Sequence, residues 1–197
     1  MTDATTNLDF NTAGTQKEPI PAGTIVGLLL TVRPGGSGPG GVLRRSADGG
    51  SEGLDCEFTV LDEGPYAKRK LWQLFTLGGT TPGHAEAGEI SRITLRAIIE
   101  SARDIRPDDK SATAEAARHV SSLGDFNGMR FIARIGVKPP RDGFAAKNVL
   151  QEIITPERQA WRKLEQTPAA PIANASNPPA TETPANAIGR PQWAERS

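Results

Sequence analysis

From Leu54 to Leu77 the chain alternates between apolar and polar positions in two arms joined by one turn. Leu54, Cys56, Phe58 and Val60 alternate with Asp55, Glu57 and Thr59, which is the two-residue period of a half-buried strand. Leu71, Gln73, Phe75 and Leu77 alternate in the same way with Lys70, Trp72, Leu74 and Thr76. Between the arms lies Asp62-Glu63-Gly64-Pro65-Tyr66, whose Gly-Pro pair punctuates a turn. The pattern predicts a long hairpin.

Upstream, Thr24 to Val32 is a short apolar run rich in β-branched residues and predicts a buried strand. Arg33 to Gly41 is a Gly-rich loop with no Gly-Lys-Ser/Thr sequence to make it a phosphate cradle. Val42 to Arg45 extends the sheet briefly. From Glu89 to Ile105 the period becomes helical, with Ile90, Ile93, Ala97, Ile98, Ala102 and Ile105 on one stripe. Arg92, Arg96 and Arg103 interleave with Glu89, Glu100 and Asp104 on what reads as a solvated face. Pro107 ends this helix, and Asp108 to Ser111 supply N-cap candidates for a short second one. Met129 to Lys138 alternates again, with Met129, Phe131, Ala133, Ile135 and Val137 on one face and Arg130, Ile132, Arg134, Gly136 and Lys138 on the other. Lys138 to Gly143 turns the chain, Lys147 to Thr155 returns as a strand, and Glu157 to Leu164 reads as a short helix.

The order is strand, hairpin, helical region, hairpin. It predicts a mainly β fold: a five-stranded Greek-key barrel of OB type, with the helix inserted between strands 3 and 4. Barrel closure would also remove the exposed edges of short antiparallel strands. An open α+β sheet is the competing architecture. The boundaries predict a flexible arm over residues 1–22, a folded domain over 23–165 and a disordered Pro/Ala-rich tail over 166–197.

Composition narrows the function classes. Among 197 residues, 23 basic and 23 acidic side chains cancel, so a nucleic-acid footprint must be a local patch rather than a global excess. The single cysteine, Cys56, excludes an intramolecular disulfide and cysteine-rich zinc sites. It falls on the apolar face of its strand, which predicts a buried, inert thiol. Neither a signal-peptide pattern nor an apolar run near the roughly 18 residues of a membrane helix is present, so a cytoplasmic, soluble protein is expected. The histidines, His84 and His119, stand in unrelated contexts, and no serine has a nucleophile-elbow setting. No catalytic residue, metal site or cofactor is expected.

The returning arm of the first hairpin brings Lys68, Arg69, Lys70 and Trp72 together, close to Tyr66. Positive charge beside an aromatic ring on a sheet surface is how proteins hold single-stranded nucleic acid. A solvated turn followed by a core tryptophan is the plainer reading. Arg130, Arg134 and Lys138 form a second basic set on one face of a later strand. If Trp72 faces inward, Tyr66 and Phe144 remain as stacking candidates. Trp193, alone in the Pro/Ala-rich tail, is a candidate docking residue for a partner protein.

The phrase Glu63-Gly64-Pro65-Tyr66-Ala67-Lys68-Arg69-Lys70-Leu71-Trp72, followed by Phe75-Thr76-Leu77-Gly78, resembles a family of small phage and prophage proteins. Leu123, Gly128, Arg130 to Val137 and Lys147-Asn148-Val149 match the family's later turn and hairpin, so the resemblance spans residues 24–155. Members resemble single-stranded DNA-binding proteins of phage replication and recombination modules. The resemblance therefore implies DNA binding without catalysis, and replication or recombination proteins as partners through the tail. The tail departs from bacterial single-stranded DNA-binding proteins in lacking an acidic tip: Glu182 and Glu195 are matched by Arg190 and Arg196. A protein-interaction module and a phage structural subunit without nucleic-acid affinity are the alternatives. Homo-oligomerisation stays open.

Overall fold

The structure, a computed structural model, describes residues 18–141 and 143–166. The first seventeen residues, Asp142 and everything from residue 167, including Trp193, lie outside the described residues. The strands are β1 (Ile25–Val32), β2 (Leu43–Arg45), β3 (Ser51–Val60), β4 (Lys70–Gly79), β5 (Arg130–Lys138) and β6 (Lys147–Ile154). The helices are α1 (Pro82–Arg103) and α2 (Ala112–Arg118), with short 3-10 turns at Pro39–Gly41 and Leu123–Phe126. The fold is mainly β, and all six strands belong to one antiparallel sheet.

β3 organises the sheet. On one edge it pairs with β4 along almost its whole length; on the other it pairs first with β2 and then with β1. β1 continues to β5, and β5 to β6. The long strands therefore lie in the order β4-β3-β1-β5-β6, with β2 in line with β1. Closure into a barrel, expected from the sequence, does not occur by backbone pairing. β4 and β6 approach to within 8 Å between Cα atoms but form no ladder.

Alternation set the inner face correctly. Leu54, Cys56, Phe58 and Val60 of β3 are all buried, as are Val26, Leu28, Leu30 and Val32 of β1. Phe58 sits at the centre, edge-to-face with Phe75 of β4 (6.3 Å between ring centroids) and with Phe131 of β5 (5.8 Å). Such aromatic pairs contribute about 0.5–1.5 kcal/mol beyond their burial. Cys56 is fully buried, and desolvation, helped by the neighbouring Asp55 carboxylate, pushes its thiol pKa far up.

α1 fills the gap between the unpaired edges, packing on β4, β5 and β6. It begins at Pro82, seven residues earlier than its apolar pattern suggests, because the Thr81 side chain caps the His84 amide and Pro82 fits the first turn. Its inward stripe also differs from the expected one. Gly88, Ser91, Leu95, Ile98 and Ile99 face in, whereas Ile90 and Ile93 are 59% and 68% exposed. The cause is close approach to the sheet: a Cβ on Gly88 would lie 3.2 Å from the Leu77 carbonyl oxygen. Small residues thus take the inward positions that an apolar count assigns to isoleucine. Glu100, read from sequence as part of the solvated face, is buried and held by Arg96 at 2.9 Å and Arg118 at 2.7 Å, which ties α2 to α1.

Two side-chain amides finish the sheet where strands run out. Asn148 of β6 accepts the Ile20 amide hydrogen at 2.8 Å and donates to the Ile20 carbonyl at 2.7 Å. Ile20, placed in the arm by the sequence, is buried in the core. At the other end, Gln166 accepts from the Arg130 amide at 3.0 Å and donates to its carbonyl at 2.8 Å. Residues 155–166, expected to include a helix, instead cross the outer face in turns. There Ile132 is fully buried, and a Cβ on Gly27 would meet Leu164 at 3.2 Å.

Two outcomes test this packing. Cys56 in the native protein should resist a thiol reagent, with labelling appearing only as denaturant unfolds the chain. Ser101→Ala should destabilise by about 1–3 kcal/mol in a denaturant titration. The buried Ser101 hydroxyl donates to the Ile154 carbonyl at 2.7 Å and accepts from the Ile132 amide at 3.1 Å, so its removal strands both groups.

Candidate nucleic-acid interface

The basic residues foreseen from sequence fall into two groups once their partners are known. On the outer face of β4, Lys70 is 2.6 Å from Glu57, and the Trp72 indole nitrogen donates to the same carboxylate at 3.1 Å. Trp72 is a surface residue, 53% exposed, with Leu74 beside it at 51%. Arg134 is paired with Glu152 at 3.0 Å and also donates to the Gly23 carbonyl. Arg130 lies beneath the crossing segment and donates to the Glu165 carbonyl at 3.1 Å. The outer-face arginines Arg33 and Arg44 both reach Asp55. The middle of the outer face is therefore partly neutralised: three carboxylates, Asp55, Glu57 and Glu152, stand against these five cations. Tyr66 packs against the core rather than standing free.

The second group is at one end of the sheet. Lys138 closes β5 and Lys147 opens β6, and the two are directly opposed in the ladder. Neither has a carboxylate partner among the described residues. Like charges set directly opposite destabilise a strand pair by a few tenths to about 1 kcal/mol, so this placement is unfavourable for folding alone. Beyond them the hairpin narrows to a tip where Arg141 and Phe144 bond each other's backbone at 3.2 and 2.9 Å, with Gly143 at φ 80°. Pro139 and Pro140 stiffen the outgoing side. The Phe144 ring is 78% exposed, the largest exposure of a big apolar side chain among the described residues. Lys138, Arg141, Phe144 and Lys147 line a cleft of about 710 Å³.

The β3–β4 turn reaches the same end. Arg69 donates to the Glu18 carbonyl at 2.6 Å, and Ile20, two residues on, is clamped by Asn148 next to Lys147. Two extended residues span about 7 Å, so the turn and the base of the β5–β6 hairpin are neighbours. Lys68, exposed and at φ 60°, adds a cation without a carboxylate partner among the described residues, while Glu18 and Glu63 are exposed carboxylates nearby. The structure thus gathers Lys68, Arg69 and Lys138 of the expected set with Phe144, the alternative stacking candidate, adds Lys147 and Arg141, and leaves Arg130 and Arg134 elsewhere. The signal for Lys147 and Arg141 was legible in part: Lys138 and Lys147 stand on either side of a Pro-Pro-Arg-Asp-Gly-Phe turn that itself carries Arg141.

Among the described residues there is no cluster of three or more His, Cys, Asp or Glu side chains able to hold a metal. None of their helices is long and apolar enough to cross a membrane. No protein-family model matches the chain, and no curated protein matches it.

The opposed lysines give a direct check. Lys147→Glu converts a repulsive cross-strand pair into an attractive one and should raise stability by a few tenths to about 1 kcal/mol in thermal or denaturant unfolding. A loss of stability would mean that the pair is already compensated.

Proposed function

We propose that this protein binds single-stranded DNA without catalysing a reaction on it, as a component of a phage or prophage replication or recombination module. The observation that carries the reading is the hairpin end: lysines with no carboxylate partner among the described residues, a stiff stem and an exposed phenylalanine, next to the Lys68–Arg69 turn. Phosphates need cations not already neutralised by carboxylates, and bases need a free aromatic face. Support for an OB-like arrangement comes from the strand order β4-β3-β1-β5-β6 with α1 between the third and fourth long strands. In this reading the OB seam is held by α1 and Ile20 instead of a ladder. The resemblance of the hairpin to a family of small phage and prophage proteins, whose members resemble single-stranded DNA-binding proteins, points the same way.

Trp72 has a secondary role in this reading. Its ring is exposed, but Glu57 lies beside it and disfavours a phosphate there. A protein-interaction module is the second reading. It is favoured by the exposed Trp72–Leu74 pair and by Ile90 and Ile93 on α1, which are apolar rather than basic. The two readings separate by salt, because an apolar interface loses little affinity as ionic strength rises, whereas phosphate contacts lose much.

A labelled oligothymidylate and a duplex of equal length, titrated at two salt concentrations, test the proposal. Single strands should bind more tightly than duplex, and affinity should fall steeply with salt. Lys138→Ala and Lys147→Ala should each shallow the salt slope by about 0.7 if each lysine meets one phosphate of a single strand. Phe144→Ala should lower affinity by about 1–3 kcal/mol with little change in slope, and Trp72→Ala should lower it less. Absence of affinity for any oligonucleotide at low salt would rule the reading out.

A further inference from the structure

Phe144 borders two clefts rather than one. The cleft of about 710 Å³ on the stem side includes Lys138, Pro139, Lys147 and Phe144, and a second, of about 450 Å³ on the tip side, includes Pro140, Gly143 and Phe144. Only residues of the hairpin line either of them. Every described residue from Lys138 to Ala145 is exposed, so the rest of the described domain covers neither cleft. The phenyl ring is thus open to a flat partner toward the stem and to another toward the tip.

The ring also has a firm mount. Lys138 and Lys147 are paired in the ladder at the base, and Pro139 and Pro140 fix the backbone that leaves it. Nearer the tip, the Phe144 amide donates to the Arg141 carbonyl at 2.9 Å and the Arg141 amide to the Phe144 carbonyl at 3.2 Å. A rigidly held apolar side chain can enter a step between two bases. The cost is the unstacking of that step, up to a few kcal/mol, and contact of both ring faces with bases offsets it. Charge is concentrated on the stem side, where Lys138 and Lys147 stand; the tip-side cleft includes neither. The lysines therefore hold phosphates next to the step without filling the space that the second base needs.

We infer that Phe144 enters between two neighbouring bases of the bound strand, so that the hairpin end selects strands whose bases stack weakly on each other, thymidine runs over adenosine runs. This rests on the single-strand reading above and adds a base preference to it. The sign of the preference is diagnostic. A ring that met one base on one face would favour adenine, whose larger surface stacks more strongly.

The test uses the full-length protein and fluorescein-labelled thymidine and adenosine dodecamers, read by anisotropy at one salt concentration. The wild type should bind the thymidine strand at least about fivefold more tightly. Phe144→Ala should weaken binding of both strands and bring their ratio close to one. Phe144→Leu keeps an apolar wedge without a ring and should retain the preference. Both substitutions replace an exposed side chain, so the unfolding midpoint should match that of the wild type. Equal affinities in the wild type, or tighter binding of the adenosine strand, would overturn the inference. So would a preference that survives in Phe144→Ala or disappears in Phe144→Leu. In each of these cases DNA binding itself stands. If neither dodecamer binds the wild type, the single-strand reading fails and this inference fails with it.

Discussion

The unpaired seam between β4 and β6 is the constraint on which the rest of this structure depends. A curled antiparallel sheet with an apolar inner face must cover that face and both edges. Here no ladder joins the edges. Three devices hold the seam instead: α1 packs on both sides of it, Ser101 ties the helix to the β5–β6 pair, and Ile20 is clamped against β6 by Asn148. Because α1 must pass close to the sheet, it turns Gly88, Ser91 and Ser101 inward and leaves Ile90 and Ile93 outside. Because Ile20 must reach Asn148, the preceding residues pass the β3–β4 turn, where Arg69 bonds Glu18. The same requirement therefore brings the two basic turns to one end.

Ion pairing then divides the surface. Across the middle of the outer face, carboxylates sit within reach of the cations: Asp55 with Arg33 and Arg44, Glu57 with Lys70, and Glu152 with Arg134. Exposed pairs of this kind contribute little to stability, with typical values of about 0–1 kcal/mol. Their larger effect is to reduce the positive potential that a phosphate chain would meet. At the hairpin end the opposite holds, since Lys138 and Lys147 face each other across the ladder. A placement that weakens the strand pair and concentrates positive potential is what a binding surface for a polyanion requires.

Much of the fold was legible in the sequence, and the reasons for the exceptions are specific. Period-two alternation located β3, β4 and β5 and sorted their faces, because burial around Phe58 enforces the pleat, while a β-branched apolar run located β1 and the turn before it located β6. It could not show whether the seam closes, since closure depends on how α1 seats between the edges. The start of α1 was hidden in a Gly-Pro-Thr stretch that reads as a loop until Thr81 is recognised as its cap. Glu100 looked solvated because two arginines that bury it, Arg96 and Arg118, lie on different elements. In the candidate site, the sequence marked Lys68, Arg69 and Lys138 but not Lys147 or Arg141, and it could not show which cations have partners. Lys70 and Arg134 lose their apparent freedom to Glu57 and Glu152 across the ladders, pairings that register creates and composition does not reveal.

The central claim is that the hairpin end, rather than the ion-paired middle of the sheet, meets the nucleic acid. Photo-crosslinking tests it most directly, using a thymidine dodecamer with 5-iodouracil at one position and peptide mapping of the adduct on the full-length protein. The account predicts attachment within residues 138–147, centred on Phe144, with any secondary adduct near Lys68. Attachment confined to Trp72 and its neighbours on β4, or to the segment over Arg130, would contradict it.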